Sequence, residues 1–189
     1  FPAREAAQPG ETVRFQLHAN YRSPRMVVKY ANILLKLAPP DYPASPLEGD
    51  EPVIEAVCNE QLHERITYHV TECLHQGFKP DDIVILSLRG WGSSSLRELE
   101  TIAGLAVRKF SGEYNDEGEQ IYTAGELQVD SIFRYKGLQA QAVILCDIDA
   151  DTMSDSLRHR LYVGMTRGRY KLVMLVSPEA ERVLMGQFA

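Results

Sequence analysis

No apolar run among the 189 residues approaches the roughly 20 that a helix needs to cross a bilayer, so a membrane-spanning helix is excluded. Cysteine is scarce. Cys58, Cys73 and Cys146 are odd in number and form no CxxC pair, which speaks against a disulfide framework. Each falls in an apolar-periodic stretch and is expected as a buried free thiol of a reducing, cytoplasmic compartment. Positive charge is not in excess either: 20 Lys and Arg stand against 26 Asp and Glu, a net charge of −6. That excludes a surface coated for nucleic acid but leaves room for a local basic track. Arg134, Lys136, Arg158, Arg160, Arg167, Arg169 and Lys171 supply one, all in the last third of the chain. The five histidines show no metal-ligand spacing, and there is no internal repeat or low-complexity tract. The chain opens on Phe1 without Met or a signal-peptide pattern, and reads as a piece of a longer protein.

What remains is ordinary globular composition, 44% hydrophobic and 24% charged, at a length that suits one domain, 1–189, with a sizeable core. Alternation predicts a first strand over residues 13–17. Ser23 as N-cap and Pro24 at the first helical position then open a helix whose apolar stripe is Val27, Ala31, Leu34, Leu35 and Ala38. Pro39 and Pro40 end it, and residues 41–51 read as a loop. A short strand over 53–57 precedes an amphipathic helix over 60–75 that Gly77 closes. Residues 83–88 are apolar and branched, as in a strand buried on both faces. Ser93–Ser95 is expected to cap a helix over 96–103 closed by Gly104, with a strand over 106–110 and a loop or hairpin near 111–126. Strands over 127–133, 142–146 and 171–176, a helix over 154–165 and a last one from Pro178 through Met185 complete the pattern. Strands alternating with helices through short links imply an α/β fold with a mainly parallel, wrapped sheet.

Three segments carry candidate chemistry. Asn20-Tyr21-Arg22-Ser23-Pro24 lies between a predicted strand and a helix, where open α/β sheets bind ligands at carboxyl-end loops. Arg22 suits a phosphate and Tyr21 a base; the plainer reading is a helix start with a surface Arg and a half-buried Tyr. Ser131-Ile132-Phe133-Arg134-Tyr135-Lys136-Gly137-Leu138-Gln139 interleaves cations with aromatics, which suits a single-stranded nucleic acid, or else an ordinary turn with snorkelling Lys and Arg. Thr166-Arg167 follows an apolar helical stretch and precedes a buried strand, a junction from which a cation reaches a phosphate bound across a domain interface. Trp91, between Gly90 and Gly92, either stacks on a base or anchors its loop. Asp147-Ile148-Asp149-Ala150-Asp151 starts like an EF-hand loop, but Thr152 stands where Gly is needed and Arg158 where the bidentate Glu is needed, so calcium is not expected.

Taken together, these segments resemble the C-terminal motor half of superfamily 1 DNA helicases of the UvrD/Rep type. Asn20-Tyr21-Arg22-Ser23 with Ala31-Asn32 resembles that family's motif IV, and Asp82-Ile83-Val84-Ile85-Leu86 its motif IVa. Lys136-Gly137-Leu138-Gln139 is similar to motif V, and Leu161-Tyr162-Val163-Gly164-Met165-Thr166-Arg167 to motif VI, in the same order and over roughly residues 13–176. The resemblance implies a RecA-like three-layer sandwich with helices on both faces of the sheet. It implies Tyr21 on the adenine, and Arg22 and Arg167 as arginine fingers against the γ-phosphate of ATP. Gly137, Gln139 and Thr166 fall on the nucleotide side, with Gln139 where the family has a ribose-contacting Glu. Ser131, Phe133, Arg134, Lys136 and Trp91 fall on the side of single-stranded DNA, with Phe133 where the family usually has His. Gly168 replaces the usual Ala. No G-x-x-x-x-G-K-[ST] phosphate loop is present. The resemblance assigns that loop, and most of the hold on ATP and Mg2+, to a preceding RecA-like domain of the same polypeptide. The isolated chain is therefore expected to be inactive. Residues 105–125 are too few for the large helical insertion of many relatives. A non-catalytic nucleic-acid or protein-binding module on the same fold is the alternative. The RNA-acting branch, which tends to show Gln-Gly in motif V, fits Lys136-Gly137 less well.

Overall fold

A computed structural model describes residues 19–38 and 40–188. The strand expected over 13–17 and the Pro39 half of the helix stop lie outside the described residues. In chain order the elements are β1 (Ala19–Asn20), α1 (Arg25–Leu35), β2 (Tyr42–Pro43), β3 (Val53–Ala56), α2 (Leu62–His75), β4 (Ile83–Ser87), β5 (Thr101–Ile102) and β6 (Leu105–Arg108). They continue as β7 (Phe110–Tyr114), β8 (Gln120–Tyr122), β9 (Leu127–Ser131), β10 (Ala140–Ile148), α3 (Asp155–Met165), β11 (Gly168–Val176) and α4 (Pro178–Met185).

Seven strands form one sheet in the order β3-β11-β10-β4-β9-β6-β5, and every pairing in it is parallel except β5 with β6. The side-chain period of two splits the core into two layers. Along β4, Val84 and Leu86 face one cluster with α1, α3 and α4, while Ile83 and Ile85 face another with α2 and the 96–107 region. Helices thus cover both faces, which is why the central strands read as unbroken apolar runs. Among the described residues no helix is long and apolar enough to cross a membrane.

Two local expectations change. Residues 96–103 form turns and β5, not a helix. Only Leu96 and Ile102 of that stretch are fully buried apolar residues, and a spacing of six makes no helical stripe. Ala103 (φ 52°) and Gly104 (φ 78°) instead make the two-residue turn of the β5–β6 hairpin, a pair of left-handed conformations suited to the twist of the strands. Lys109 fixes the preceding turn by donating to the carbonyls of Arg97 (2.8 Å) and Leu99 (3.0 Å). Ser23 does not cap α1. Pro24 is the N-cap residue, and the carbonyls of Leu47 and Glu48 accept from the Arg25 and Met26 amides at 3.0 and 3.1 Å. The loop read from the Pro-rich composition of 41–51 therefore closes the helix start.

The cysteines split as well. Cys73 and Cys146 are buried free thiols, but Cys58 is exposed, because it lies past the end of β3 in the link to α2. Burial pushes the Cys146 thiol well above its usual pKa, which disfavours the reactive thiolate. One thiol per native chain is therefore expected to react promptly with a thiol-specific disulfide reagent, and Cys58→Ser is expected to remove that phase. Three prompt thiols in the folded protein would contradict the burial of Cys73 and Cys146.

Two features of this topology position the site. α3 leaves the carboxyl end of β10 and runs back over the sheet, so its last turn arrives at the amino edge. There the Arg167 carbonyl accepts from the Ala140 amide at 3.1 Å, where β10 begins. Gly164 allows the close approach, since a Cβ there would stand 3.0 Å from both methyls of Leu145. The segment 132–139 makes the complementary crossing, from the carboxyl end of β9 to the amino end of β10.

Candidate functional site

At the amino edge the two expected arginines come together. Arg22 Nη2 donates to the Gly137 carbonyl at 2.9 Å. Arg167 Nη1 donates to the next carbonyl, Leu138, at 3.3 Å, its Nε to the Val163 carbonyl at 2.8 Å, and its Nη2 to Thr166 Oγ1 at 3.3 Å. Gly137 adopts φ 90°, a left-handed conformation that glycine takes without strain, at the carbonyl that meets Arg22. Among the described residues neither guanidinium has a carboxylate within 4.0 Å, although most other arginines here do. Burial, and then the charge of Arg22, depress the Arg167 guanidinium below its usual pKa. Two like charges held side by side on neutral carbonyls are a ready receptor for an anion with several oxygens.

Beside them lies a cavity of about 310 Å³ lined by Ala19, Asn20, Tyr21, Arg22, Asp41 and Tyr162. Tyr21 is 69% exposed, free to meet a flat ligand. Asn20 Oδ1 accepts from the Arg22 and Ser23 amides at 3.1 and 3.0 Å, which fixes this loop as an Asx turn. Tyr162 donates to Asp41 Oδ2 at 2.6 Å; burial and that hydrogen bond push its pKa up to about 12. Asp41 and Tyr162 were not singled out from the sequence. Tyr162 sits inside a quoted motif without a role, and Asp41 joins the site only because Asn32 accepts from its amide (2.9 Å) and donates to its carbonyl (2.8 Å).

The carboxyl-end expectation for Asn20–Pro24 is corrected: among the described residues β1 pairs with β2 alone, outside the central sheet, and Arg22 reaches the amino edge. Gln139 and Thr166 are at that edge too, but they bind each other. Gln139 Nε2 donates to the Thr166 carbonyl at 3.2 Å, while Thr166 Oγ1 donates back to Tyr162 and Val163 and closes α3. Neither lines the cavity. Lys136, exposed, precedes the carbonyl that Arg22 holds.

The remaining candidates gather at the opposite, carboxyl edge. Ser131 ends β9 opposite Ser87 and is 2% exposed. Arg134 is drawn inward: its Nε donates to the fully buried Asp130 at 2.8 Å, and its guanidinium carbon stands 5.1 Å from the Trp91 ring centre and 4.4 Å from that of Phe110. Ser131 and Arg134 therefore do not present themselves to a ligand as the basic-aromatic pattern suggested. Trp91 is half-buried against the α2-side core, and Phe133 alone of this group is widely exposed. Asp147 (φ 56°), at the end of β10, accepts from Ser87, Ser94 and Ser95 and so ties the Trp91 loop to the sheet. Among the described residues no group of three or more His, Cys, Asp or Glu could hold a metal.

No curated protein matches the chain. In fold it is similar to the crystal structure of the C-terminal domain of a possible DNA helicase from Lactobacillus plantarum WCFS1, with a TM-score of 0.52 at 18% identity, over 88% of this chain and 96% of that one. The family described as UvrD-like helicase C-terminal domain matches residues 127–175, the span from the start of β9 nearly to the end of β11. The chain is thus similar to the UvrD-like helicase C-terminal domain in sequence over the segment that delivers Arg167, and to that solved structure in fold over most of its length.

Proposed function

We propose that the chain is the second, RecA-like motor domain of an ATP-dependent DNA helicase or translocase. The observation that carries the reading is the pair Arg22 and Arg167 at one sheet edge. They are held on adjacent carbonyls beside an open aromatic ring, and among the described residues neither has an acidic partner. Such a pair suits the terminal phosphate of a nucleotide brought by a preceding domain, whose phosphate loop would hold ATP and Mg2+. Closing the two domains then adds two positive charges where the transferring phosphoryl group develops negative charge. Opening and closing would move the carboxyl edge, with Phe133 and Trp91, along single-stranded DNA by base stacking.

The competing reading, a binding module without catalysis, draws on the internal bonds of both arginines, which also serve the fold. An ATPase assay of the protein together with its preceding domain separates the two. Turnover stimulated tenfold or more by single-stranded DNA is expected for a motor. Absence of turnover with and without DNA would leave the binding module.

A further inference from the structure

Among the described residues, a residue that lines the cavity beside Arg22 carries a carboxylate oxygen that the fold does not use. Asn20 Oδ1 already accepts two amides, and the Tyr162 hydroxyl gives its proton to Asp41 Oδ2. The Asp41 backbone is pinned on both sides by Asn32. Asp41 Oδ1 has no donor, and no cation stands within 4.0 Å of this carboxylate, among the described residues. A free carboxylate oxygen on a residue that lines a cavity is an acceptor only, so a ligand group that meets it must be a donor. A phosphate is repelled there and belongs on the arginines; a base ring belongs on Tyr21. Between phosphate and base a ribonucleotide carries two vicinal hydroxyls, both donors, and a carboxylate is the group that recognises them. The volume of about 310 Å³ is small for a whole nucleotide and suits its sugar and base, with the phosphates outside over the guanidiniums. Gln139, where the resemblance would place the sugar contact, gives its Nε2 to the Thr166 carbonyl and does not line the cavity.

We infer that Asp41 is the ribose-reading residue of this site and makes it selective for ribonucleoside over deoxyribonucleoside triphosphates. The inference rests on the nucleotide reading above. In the protein joined to its preceding domain, kcat/KM for ATP is expected to exceed that for 2′-deoxy-ATP by about tenfold or more, the scale of one hydrogen bond to a charged group. Asp41→Asn keeps the side-chain shape, but its one carbonyl oxygen is taken by Tyr162. Its preference is expected to shrink to about twofold, through loss on ATP and not gain on the deoxy substrate. Tyr162→Phe, which keeps the carboxylate, is expected to keep the preference whatever it does to the rate. Equal use of the two substrates by the unaltered protein, or an undiminished preference in Asp41→Asn, overturns the inference while leaving the motor intact. Failure to turn over either substrate refutes the motor reading itself, and the ribose assignment with it.

Discussion

Arg167→Ala, in the protein joined to its preceding domain, is expected to lower ATP turnover by about 10³–10⁵-fold, the range over which arginine fingers act in phosphoryl transfer. The loss should appear in kcat more than in KM, because in the proposed role the guanidinium would meet charge that develops as the phosphoryl group transfers. The fold should survive. Arg167 contributes hydrogen bonds to Val163, Leu138 and Thr166 at an edge that water reaches, while α3 stays anchored through Leu157, Leu161 and Met165. Each lost bond is worth about 1 kcal/mol net, so the three together should lower the melting temperature by about 6–12 °C while the far-ultraviolet circular dichroism of the native state stays as it was. Arg167→Lys keeps the charge but loses the fork that binds two oxygens at once, and should recover only a small part of the rate. Turnover within a few-fold of the unaltered protein would place Arg167 outside the chemistry and leave it as a tie between α3 and the 136–139 turn.

The central layer of the fold was plain in the sequence for a physical reason. A strand buried on both faces has no polar position, and 83–88 and 142–146 read that way; β4 and β10 stand there. α3 and α4 carry serine caps whose hydroxyls accept from the Leu157 and Ala180 amides, so both helices start where a local signal stands. What escaped reading depends on distant partners. Ser23 was a credible cap until the carbonyls of Leu47 and Glu48 took its place. The stretch 96–103 has the composition of a helix, but its amides and carbonyls answer to Lys109 and to β6. Likewise the arginine pair was named from motifs over a hundred positions apart, yet its location at the amino edge follows from the return path of α3, which no local pattern encodes. Asp41 shows the same limit from the other side: its stretch reads as loop in the sequence, and its place in the site comes from Asn32 and Tyr162.

Arg134→Ala is expected to destabilise the protein by about 3 kcal/mol or more while changing DNA affinity little. The sequence presents Arg134 as a phosphate contact, but its side chain is only 17% exposed and is paired with Asp130, whose side chain is 0% exposed. Removing one partner of a buried pair strands the other charge; Asp130 would keep only the Tyr122 hydroxyl at 2.7 Å and the Ser131 amide at 2.7 Å. The same guanidinium lies over Trp91 on one element and Phe110 on another, so its loss also removes one tie between the β7–β8 hairpin and the carboxyl edge. Trp91 is the single tryptophan, and its emission should shift to longer wavelength in the variant as the ring gains water. A phosphate contact would behave otherwise. Each one lost lowers the slope of log affinity against log salt by about 0.7 for single-stranded DNA, with stability unchanged. An unaltered urea midpoint together with that shallower slope would return Arg134 to the nucleic-acid interface; a lowered midpoint with the slope preserved assigns it to the frame that holds Trp91 and the hairpin in place.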